Sequence, residues 1–230
     1  MVGIPMHTEG LPELRLMQLV SPALPIGAFT YSQGLEWAVE SGQVTDADAV
    51  YDWMLGQVED GLTYLDLPIL KRLYQALEHD DFDTVNYWSE YLLASRETSE
   101  LRQEEVNRGR ALCRLLTDLD VTGAVKYESV MQLGQIPGFA LAAVAWNISL
   151  QQTALGYSWG WLENQVAAAI KLVPLGQTAG QKLQLQLSEV IPQSVNRALS
   201  VGDDEIGASA PAMAIASSLH ETQYTRLFRS

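Results

Sequence analysis

Apolar residues recur every three to four positions along most of the chain, which is the spacing of amphipathic helices. One such run begins after Thr-Asp-Ala-Asp at residues 45–48, which resembles a capping box. The same spacing predicts helices over residues 45–62, 66–77, 81–92, 96–119, 138–155, 161–173, 183–191 and 203–219. We therefore predict an all-α fold, a single domain over residues 1–230 with about ten helices. Its N-terminus is expected to be flexible over about residues 1–10, and residues 220–230 form a C-terminal tail.

Polar residues and prolines set the expected helix boundaries. Asp66 is expected to cap one helix, and either Asp81 or Asp83 to begin the next. Residues 183–187 alternate like a strand, but the apolar stripe that continues beyond them has helical spacing, so a helix is predicted. Pro192 is expected to kink or restart that helix.

Charge is scarce in the second half of the chain. The sequence is 47% hydrophobic and 18% charged, with a formal net charge of −14, yet only five charged residues lie between Ser129 and Gly202. A stretch so poor in charge is expected to be buried, either in the protein's own core or against another subunit. An ordinary buried pair of helices explains it as well as an oligomer does. The acidic balance argues against nucleic acid as a partner.

No segment has the pattern of a membrane span or a secretion signal. The longest apolar run, residues 136–146, contains 11 residues, whereas a bilayer requires about 20. The N-terminus carries Glu9 and Glu13 before any long apolar run and lacks the basic start of a signal peptide. We therefore expect a cytoplasmic protein without a membrane partner.

The most conspicuous catalytic pattern is Gly-Tyr-Ser-Trp-Gly at residues 156–160, which reads G-x-S-x-G. In α/β-hydrolases this serine lies on a strained turn between a strand and a helix. Asp203 or Asp204, followed by His220, would complete the order of a catalytic triad. The residues before the pattern have helical rather than strand character. We therefore expect a joint between two helices, with Ser158 capping the second, and keep a serine hydrolase using Ser158 as the alternative function.

Metal, nucleotide and cofactor sites are not expected. His7, His79 and His220 lie far apart in the sequence, and the acids that follow His79 are interpreted as a solvated helix start. The single cysteine, Cys113, has a helical apolar context and is expected in the core. The glycine-rich residues 176–182 lack the spacing of a phosphate-binding loop.

Two segments look more like recognition elements than packing elements. Residues 21–36 form a loop dense in Pro and Gly that presents Phe29 and Tyr31 on a stiff backbone, although a tightly packed loop is an equal alternative. In the tail, the apolar residues are spaced i, i+3, i+4, and both bases follow the last acid. Because ordering the tail backbone costs more than burying its apolar side chains returns, the tail is expected to order on a partner, and a tail packed on its own domain is the alternative. The tail residues assigned to partner binding are Tyr224, Arg226, Leu227 and Phe228.

Short motifs in a fixed order support a more specific interpretation. They are Gln-Gly-Leu-Glu-Trp-Ala-Val-Glu at 33–40, Arg-Glu-Thr at 96–98, Asn-Arg-Gly at 107–109, Gly-Tyr-Ser-Trp at 156–159, Lys-Leu-Val-Pro-Leu-Gly-Gln at 171–177 and Glu-Thr-Gln-Tyr-Thr-Arg-Leu-Phe at 221–228. In this order, from about residue 14 to residue 230, the chain resembles the UreF family of urease accessory proteins. One departure is Ala28, where the family commonly has a second glycine; a positive φ there would strain an alanine.

The resemblance implies an all-α homodimer with no catalytic residues of its own. Members of the family act as adaptors that bind the accessory protein UreD (also called UreH) and the GTPase UreG, and the assembly delivers nickel to apo-urease, UreABC. The resemblance places Glu36 and Lys171 on the surface that faces the GTPase. It places Phe29 and Arg226 in the region of loop and tail that orders with UreD.

Overall fold

The computed structural model describes residues 9–207 and 210–230, and every regular element within those residues is helical. The α-helices are α1 (Leu11–Leu19), α2 (Leu35–Glu40), α3 (Ala47–Gln57), α4 (Leu67–Glu78), α5 (Phe82–Ala94), α6 (Ser99–Asp118), α7 (Glu128–Met131), α8 (Gln135–Ala145), α9 (Leu150–Leu172), α10 (Gln177–Ala198) and α11 (Pro211–His220). A π-helical segment, Val58–Asp66, joins α3 to α4, and short 3₁₀ turns occupy Ala28–Thr30 and Asp203–Glu205. The all-α prediction is confirmed. Most of the expected flexible N-terminus, with His7, lies outside the described residues.

The core is built around α8, which packs against α4, α6 and α9. Nine of its eleven residues are buried, and Ile136, Phe139 and Ala140 are almost completely shielded from solvent. The charge-poor stretch is therefore largely explained by the protein's own core. Its longer helices, α9 and α10, pack side by side and each leaves one face exposed.

Helix α9 runs without interruption through the G-x-S-x-G pattern, so the predicted joint between two helices is wrong. Ser158 lies in the middle of α9, 1% exposed, and its hydroxyl donates to the Ala154 carbonyl at 2.9 Å instead of capping a helix. The glycines of the pattern face α1. A Cβ added at Gly156 would lie 2.5 Å from Leu16 and 3.3 Å from Val20. These glycines therefore provide a close crossing of two helices rather than a helix end.

The predicted helix boundaries are confirmed in part. The side chain of Asp81 caps α5 as predicted, accepting a backbone N–H group at 3.1 Å. At α3 the cap is Asp46, which accepts a backbone N–H group at 3.0 Å, instead of a capping box that begins at Thr45. Residues 183–191 are helical, as predicted. Asp66, by contrast, caps nothing because it ends a continuous π-helical turn and points inward. Pro192 does not restart α10, since it lies on an exposed face where the carbonyl that it leaves unpaired can meet water.

The last predicted helix is shorter than expected. Its three acids form a separate 3₁₀ turn at Asp203–Glu205, and α11 begins at Pro211. Residues 208–209, which the prediction included, lie outside the described residues. Within the described residues, no helix is long and apolar enough to cross a membrane.

Candidate partner-binding surface

The tail lies folded against the rest of the molecule, and a buried carboxylate binds its backbone. Glu36, in the first turn of α2, is 7% exposed. Its two oxygens accept the backbone N–H groups of Leu227 and Phe228 at 2.6 and 2.8 Å. Bonds of this kind to a charged acceptor contribute about 1.5–3 kcal/mol each. They explain why the tail is ordered without a partner, contrary to the prediction.

His220 links the same carboxylate to a second acid. This residue ends α11 and its side chain is fully buried. Its Nε2 lies 3.2 Å from Glu36, and its Nδ1 lies 2.7 Å from Glu100 on α6. The other oxygen of Glu100 accepts a hydrogen bond from Arg226 at 2.7 Å. Both ring nitrogens therefore lie at hydrogen-bond distance from a carboxylate oxygen.

The last residue of the chain is enclosed by the loop that precedes α2. The carbonyl oxygen of Ser230 accepts hydrogen bonds from the Ser32 backbone N–H at 2.8 Å and from its hydroxyl at 2.6 Å. The Arg229 backbone N–H donates to the Thr30 carbonyl at 2.9 Å. The hydroxyl of Ser230 donates to Glu104, which also accepts from Arg108, its i+4 neighbour on α6. The loop and the tail therefore form one structure, the loop–tail surface, comprising residues 27–36 and 221–230.

A glycine lets α2 and α11 approach closely beneath this surface. Gly34 has φ = +81°, a conformation that glycine adopts without strain. A Cβ there would lie 2.9 Å from the Ser217 backbone nitrogen and 3.1 Å from the Met213 carbonyl. Ala28, by contrast, begins a 3₁₀ turn and is not among the residues with positive φ, because Gly27 takes the left-handed conformation instead. The alanine at position 28, where the family commonly has glycine, therefore causes no backbone strain.

The structure brings the predicted partner-binding residues together, although not all of them are at the surface. Phe29 and Leu227 are 62% and 67% exposed, and Tyr224 is fully exposed. Lys171, at the end of α9, is exposed with its ammonium 5.6 Å from the centre of the Phe228 ring. The remaining predicted residues are Tyr31, Glu36, Arg226 and Phe228.

Three of these residues are buried beneath the surface. Tyr31 and Phe228 are 5% and 6% exposed, and the Tyr31 hydroxyl accepts a hydrogen bond from Asn107 at 3.2 Å. Glu36 is covered by the tail, so the expectation of an exposed acid is wrong. These side chains fix the shape of the surface instead of presenting themselves on it.

Sequence reasoning missed the polar residues that join the loop to the helices. His220 and Glu100 hold the tail, as described above, and Thr98 bonds to Ser217 across the α6–α11 contact at 2.8 Å. Gln33 donates to Glu104 and accepts from the Trp161 indole, both at 3.0 Å. A lone histidine and an acid in the first turn of a helix are common in any sequence. Only the three-dimensional structure shows that these side chains contact each other.

A second charged cluster lies deeper, between the π-helical segment, α6 and α9. Arg96 pairs with Asp66 at 2.8 Å and with Glu105 at 2.5 Å. Burial raises the pKa of Asp66, although Arg96 opposes the shift. Burial also disfavours the charge on Arg96, but the carboxylates of Asp66 and Glu105 outweigh it and hold its pKa well above the usual value. Burial raises the pKa of Tyr157, whose hydroxyl donates to Asp66 at 3.2 Å.

The residues of the alternative hydrolase triad are not assembled. Ser158 lies within a helix rather than on a turn after a strand, and its hydroxyl is engaged by the Ala154 carbonyl. Asp203 pairs with Arg72, and His220 is occupied by two glutamates. The structure therefore gives the serine hydrolase no support. Among the described residues, no group of three His, Cys, Asp or Glu side chains is arranged to hold a metal ion.

Comparison with known proteins identifies the family. The family model UreF matches residues 44–188. A urease accessory protein UreF of Pseudomonas putida (strain W619) is 53% identical over 217 residues, which cover 94% of this chain and 97% of the relative. The chain belongs to the UreF family of urease accessory proteins. Its UreF relative from Alkalilimnicola ehrlichii is 52% identical over 228 residues, covering 98% of this chain and all of the relative. The resemblance predicted from the sequence motifs is confirmed.

Proposed function

We propose that this protein is a non-catalytic adaptor in urease maturation. It binds the accessory protein UreD and the GTPase UreG, and the assembly inserts nickel into apo-urease in a step driven by GTP hydrolysis. The nickel is cargo of the assembly, and the nucleotide chemistry belongs to the GTPase. Near-complete coverage of UreF relatives at about half identity is the observation that carries this proposal.

The loop–tail surface is the proposed docking site for UreD. It presents Phe29, Tyr224 and Leu227 to solvent on a backbone fixed by buried hydrogen bonds. Exposed apolar side chains on an ordered backbone bind with a small entropic penalty, because little of the surface has to be ordered on binding. The tail thus supports binding as a preformed element rather than by folding on the partner.

The proposed roles of Glu36 and Lys171 differ. Lys171 is exposed and remains a direct contact for the GTPase. Glu36 is a positioning residue, because it touches the tail backbone and His220 but has little exposed surface. Since Lys171 lies beside Phe228, the two partner sites are adjacent.

Self-association is part of the same proposal. Large apolar side chains are exposed on helices outside the loop–tail surface, including Leu14 and Met17 on α1 and Leu185 on α10, each at least 62% exposed. A homodimer that covers part of this apolar surface is expected. Light scattering should give about twice the monomer mass of 25.4 kDa at micromolar concentration. A monomer mass would contradict the dimer.

A complementation experiment tests the proposed function. A cell that carries urease, UreD and UreG but lacks its own UreF should recover urease activity, and nickel in purified urease, when this chain is supplied. Tagged wild-type chain should also retain UreD and UreG during purification. Urease that acquires no nickel with the chain present, or a chain that retains neither protein, would contradict the proposal.

A further inference from the structure

A cleft of about 110 Å³ lies between the second half of α3 and the start of α11, and none of its lining residues belongs to the loop–tail surface. One wall is α3 with the first turn of the π-helical segment, which place Asp52, Gly56 and Asp60 at four-residue steps along one face. The other wall is apolar and is formed by residues 210–213. The cleft is therefore a separate candidate site, acidic on one side and apolar on the other.

The acids of this cleft have no basic partner among the described residues. Neither Asp52 nor Asp60 lies within 4.0 Å of a lysine, arginine or histidine nitrogen there. The three elements that form the cleft contain no lysine or arginine, and His220 is buried at the far end of α11. Arg197, on α10, borders a neighbouring groove together with Asp60, but its guanidinium lies 3.9 Å from Glu205. The charge of the two aspartates is therefore available to a cationic ligand.

Two N–H donors at the acidic wall have no acceptor. The Trp53 indole nitrogen and the Gln57 amide nitrogen are shielded from solvent, and neither has a hydrogen-bond partner. They stand four residues apart on α3, so they share one side of the helix. Gln57 is only 5% exposed, and a buried donor without an acceptor lowers the stability of the fold. A ligand whose carbonyl oxygens reach these side chains removes that cost.

Gly56 keeps the same wall open. It lies inside α3, where glycine is less favourable than alanine. Packing does not explain it, because a Cβ added there would meet no atom within 4 Å. At Gly156, by contrast, an added Cβ would lie 2.5 Å from Leu16. A glycine without a packing role beside a cleft is suited to close approach by the backbone of a bound chain.

We propose that this cleft binds a short basic segment of a partner protein. Lysine or arginine side chains of the segment pair with Asp52 and Asp60, and its backbone passes over Gly56. Its carbonyl oxygens accept hydrogen bonds from Trp53 and Gln57. A metal ion or a polyamine would satisfy the carboxylates but supplies no carbonyl oxygen, and a chain of net charge −14 repels an acidic segment. This inference goes beyond the proposed function, since it concerns a second surface and does not depend on the urease partners.

The test uses the full chain and the synthetic peptide acetyl-Ala-Lys-Ala-Arg-Ala-amide at low ionic strength. An NMR titration should shift the indole N–H signal of Trp53 in a saturable manner, and Trp53→Phe assigns that signal by its loss. Asp52→Asn with Asp60→Asn should weaken binding by about tenfold. Spermine, which has the positive charge but no carbonyl group, should leave the indole signal unshifted.

Two further variants separate this site from net charge and from folding. Asp83→Asn with Asp118→Asn makes the same change in net charge at exposed positions on α5 and α6 and should leave the affinity nearly unchanged. Gly56→Ala should raise the melting temperature, because alanine favours a helix, and should nevertheless weaken binding of the peptide several-fold.

Equal weakening by both double variants would show that net charge alone attracts the peptide, and it would overturn the proposal. So would an unchanged affinity in Gly56→Ala, or spermine that shifts the Trp53 indole signal as the peptide does. Wild type that does not bind the peptide would also overturn it. None of these outcomes bears on the complementation experiment, so failure of this site is distinguishable from failure of the proposed function.

Discussion

At the scale of single residues, the central element is the Glu36 carboxylate. It satisfies two backbone N–H groups of an irregular segment and lies against the buried His220 ring. Buried carboxylates are stable only when such partners compensate for the loss of water. The two glutamates, the histidine and Arg226 together compensate one another, so the loss of one leaves the others incompletely paired.

Replacing Glu36 with glutamine should loosen the tail without unfolding the helices. Glutamine has one oxygen that can accept one of the two tail N–H groups. Its NH₂ group would face the other N–H, and two donors cannot form a hydrogen bond with each other. We expect the free energy of local opening at Leu227 and Phe228 to fall by about 2 kcal/mol or more. Amide hydrogen exchange at these two residues measures it.

The exposed Glu40 at the end of the same helix provides the control. Glu40→Gln should leave the exchange rates of the tail unchanged. Equal protection of Leu227 and Phe228 in the Glu36 variant and in wild type would show that this carboxylate does not hold the tail.

Asp66 should make a pH-dependent contribution to stability. Burial raises its pKa above the usual 3.8, so the folded state favours the protonated form. That contribution is complete at pH values below 3.8 and is lost as the pH rises through the higher folded-state pKa. As the pH rises from about 4, the wild-type protein should therefore lose this contribution to its free energy of unfolding, whereas Asp66→Asn has none to lose. The stability of the variant relative to wild type should increase over that pH range.

Urea unfolding at a series of pH values measures this difference. Asp52→Asn, at an exposed position on α3, should give a nearly constant difference from wild type. A shift against the Asp66 variant with rising pH would mean that Arg96 keeps this carboxyl ionised in the folded state.

At the scale of helices, glycines decide where the elements approach one another. Gly156 permits α1 to cross α9, and Gly34 permits α11 to lie against the start of α2. Both occur in sequence motifs that also resemble turns or catalytic loops. The spacing of apolar residues predicts the helices well because each stripe is local, but it does not reveal that a glycine serves a contact with a residue more than a hundred positions away.

Gly34→Ala should displace α11 and with it the tail. The added Cβ meets backbone atoms of α11 at 2.9–3.1 Å, and the left-handed backbone adds strain of about 1 kcal/mol. Gly42 has a similar φ of +76°, but a Cβ added there would meet no atom within 4 Å. Gly42→Ala therefore introduces the backbone strain without the steric clash. We expect the Gly34 variant to have a lower melting temperature than the Gly42 variant. Equal melting temperatures would contradict the close packing of α2 and α11.

At the scale of the whole molecule, the sequence predicts the fold class and the association of the loop with the tail, but not the ordered state of the tail or the position of Lys171 beside it. Phe29, Lys171 and Leu227 were assigned from motifs far apart in the sequence, and the fold places them beside one docked tail. The tail was expected to be unstructured because counting its own apolar residues omits acceptors supplied from elsewhere. Glu36 lies 191 residues before Leu227, and no local pattern links them.

The central claim is that the loop–tail surface, and not exposed apolar surface in general, binds the urease maturation partners. Leu227 on the tail and Val125 in the turns before α7 provide a matched pair, with 67% and 76% of their surface exposed. The deciding measurement is retention of UreD and UreG by Leu227→Asp and by Val125→Asp, each with a thermal melt to confirm folding. The account predicts that Leu227→Asp loses UreD, while Val125→Asp retains both proteins at the wild-type level. Retention of UreD by a folded Leu227→Asp protein, or its loss from both variants alike, would contradict the claim.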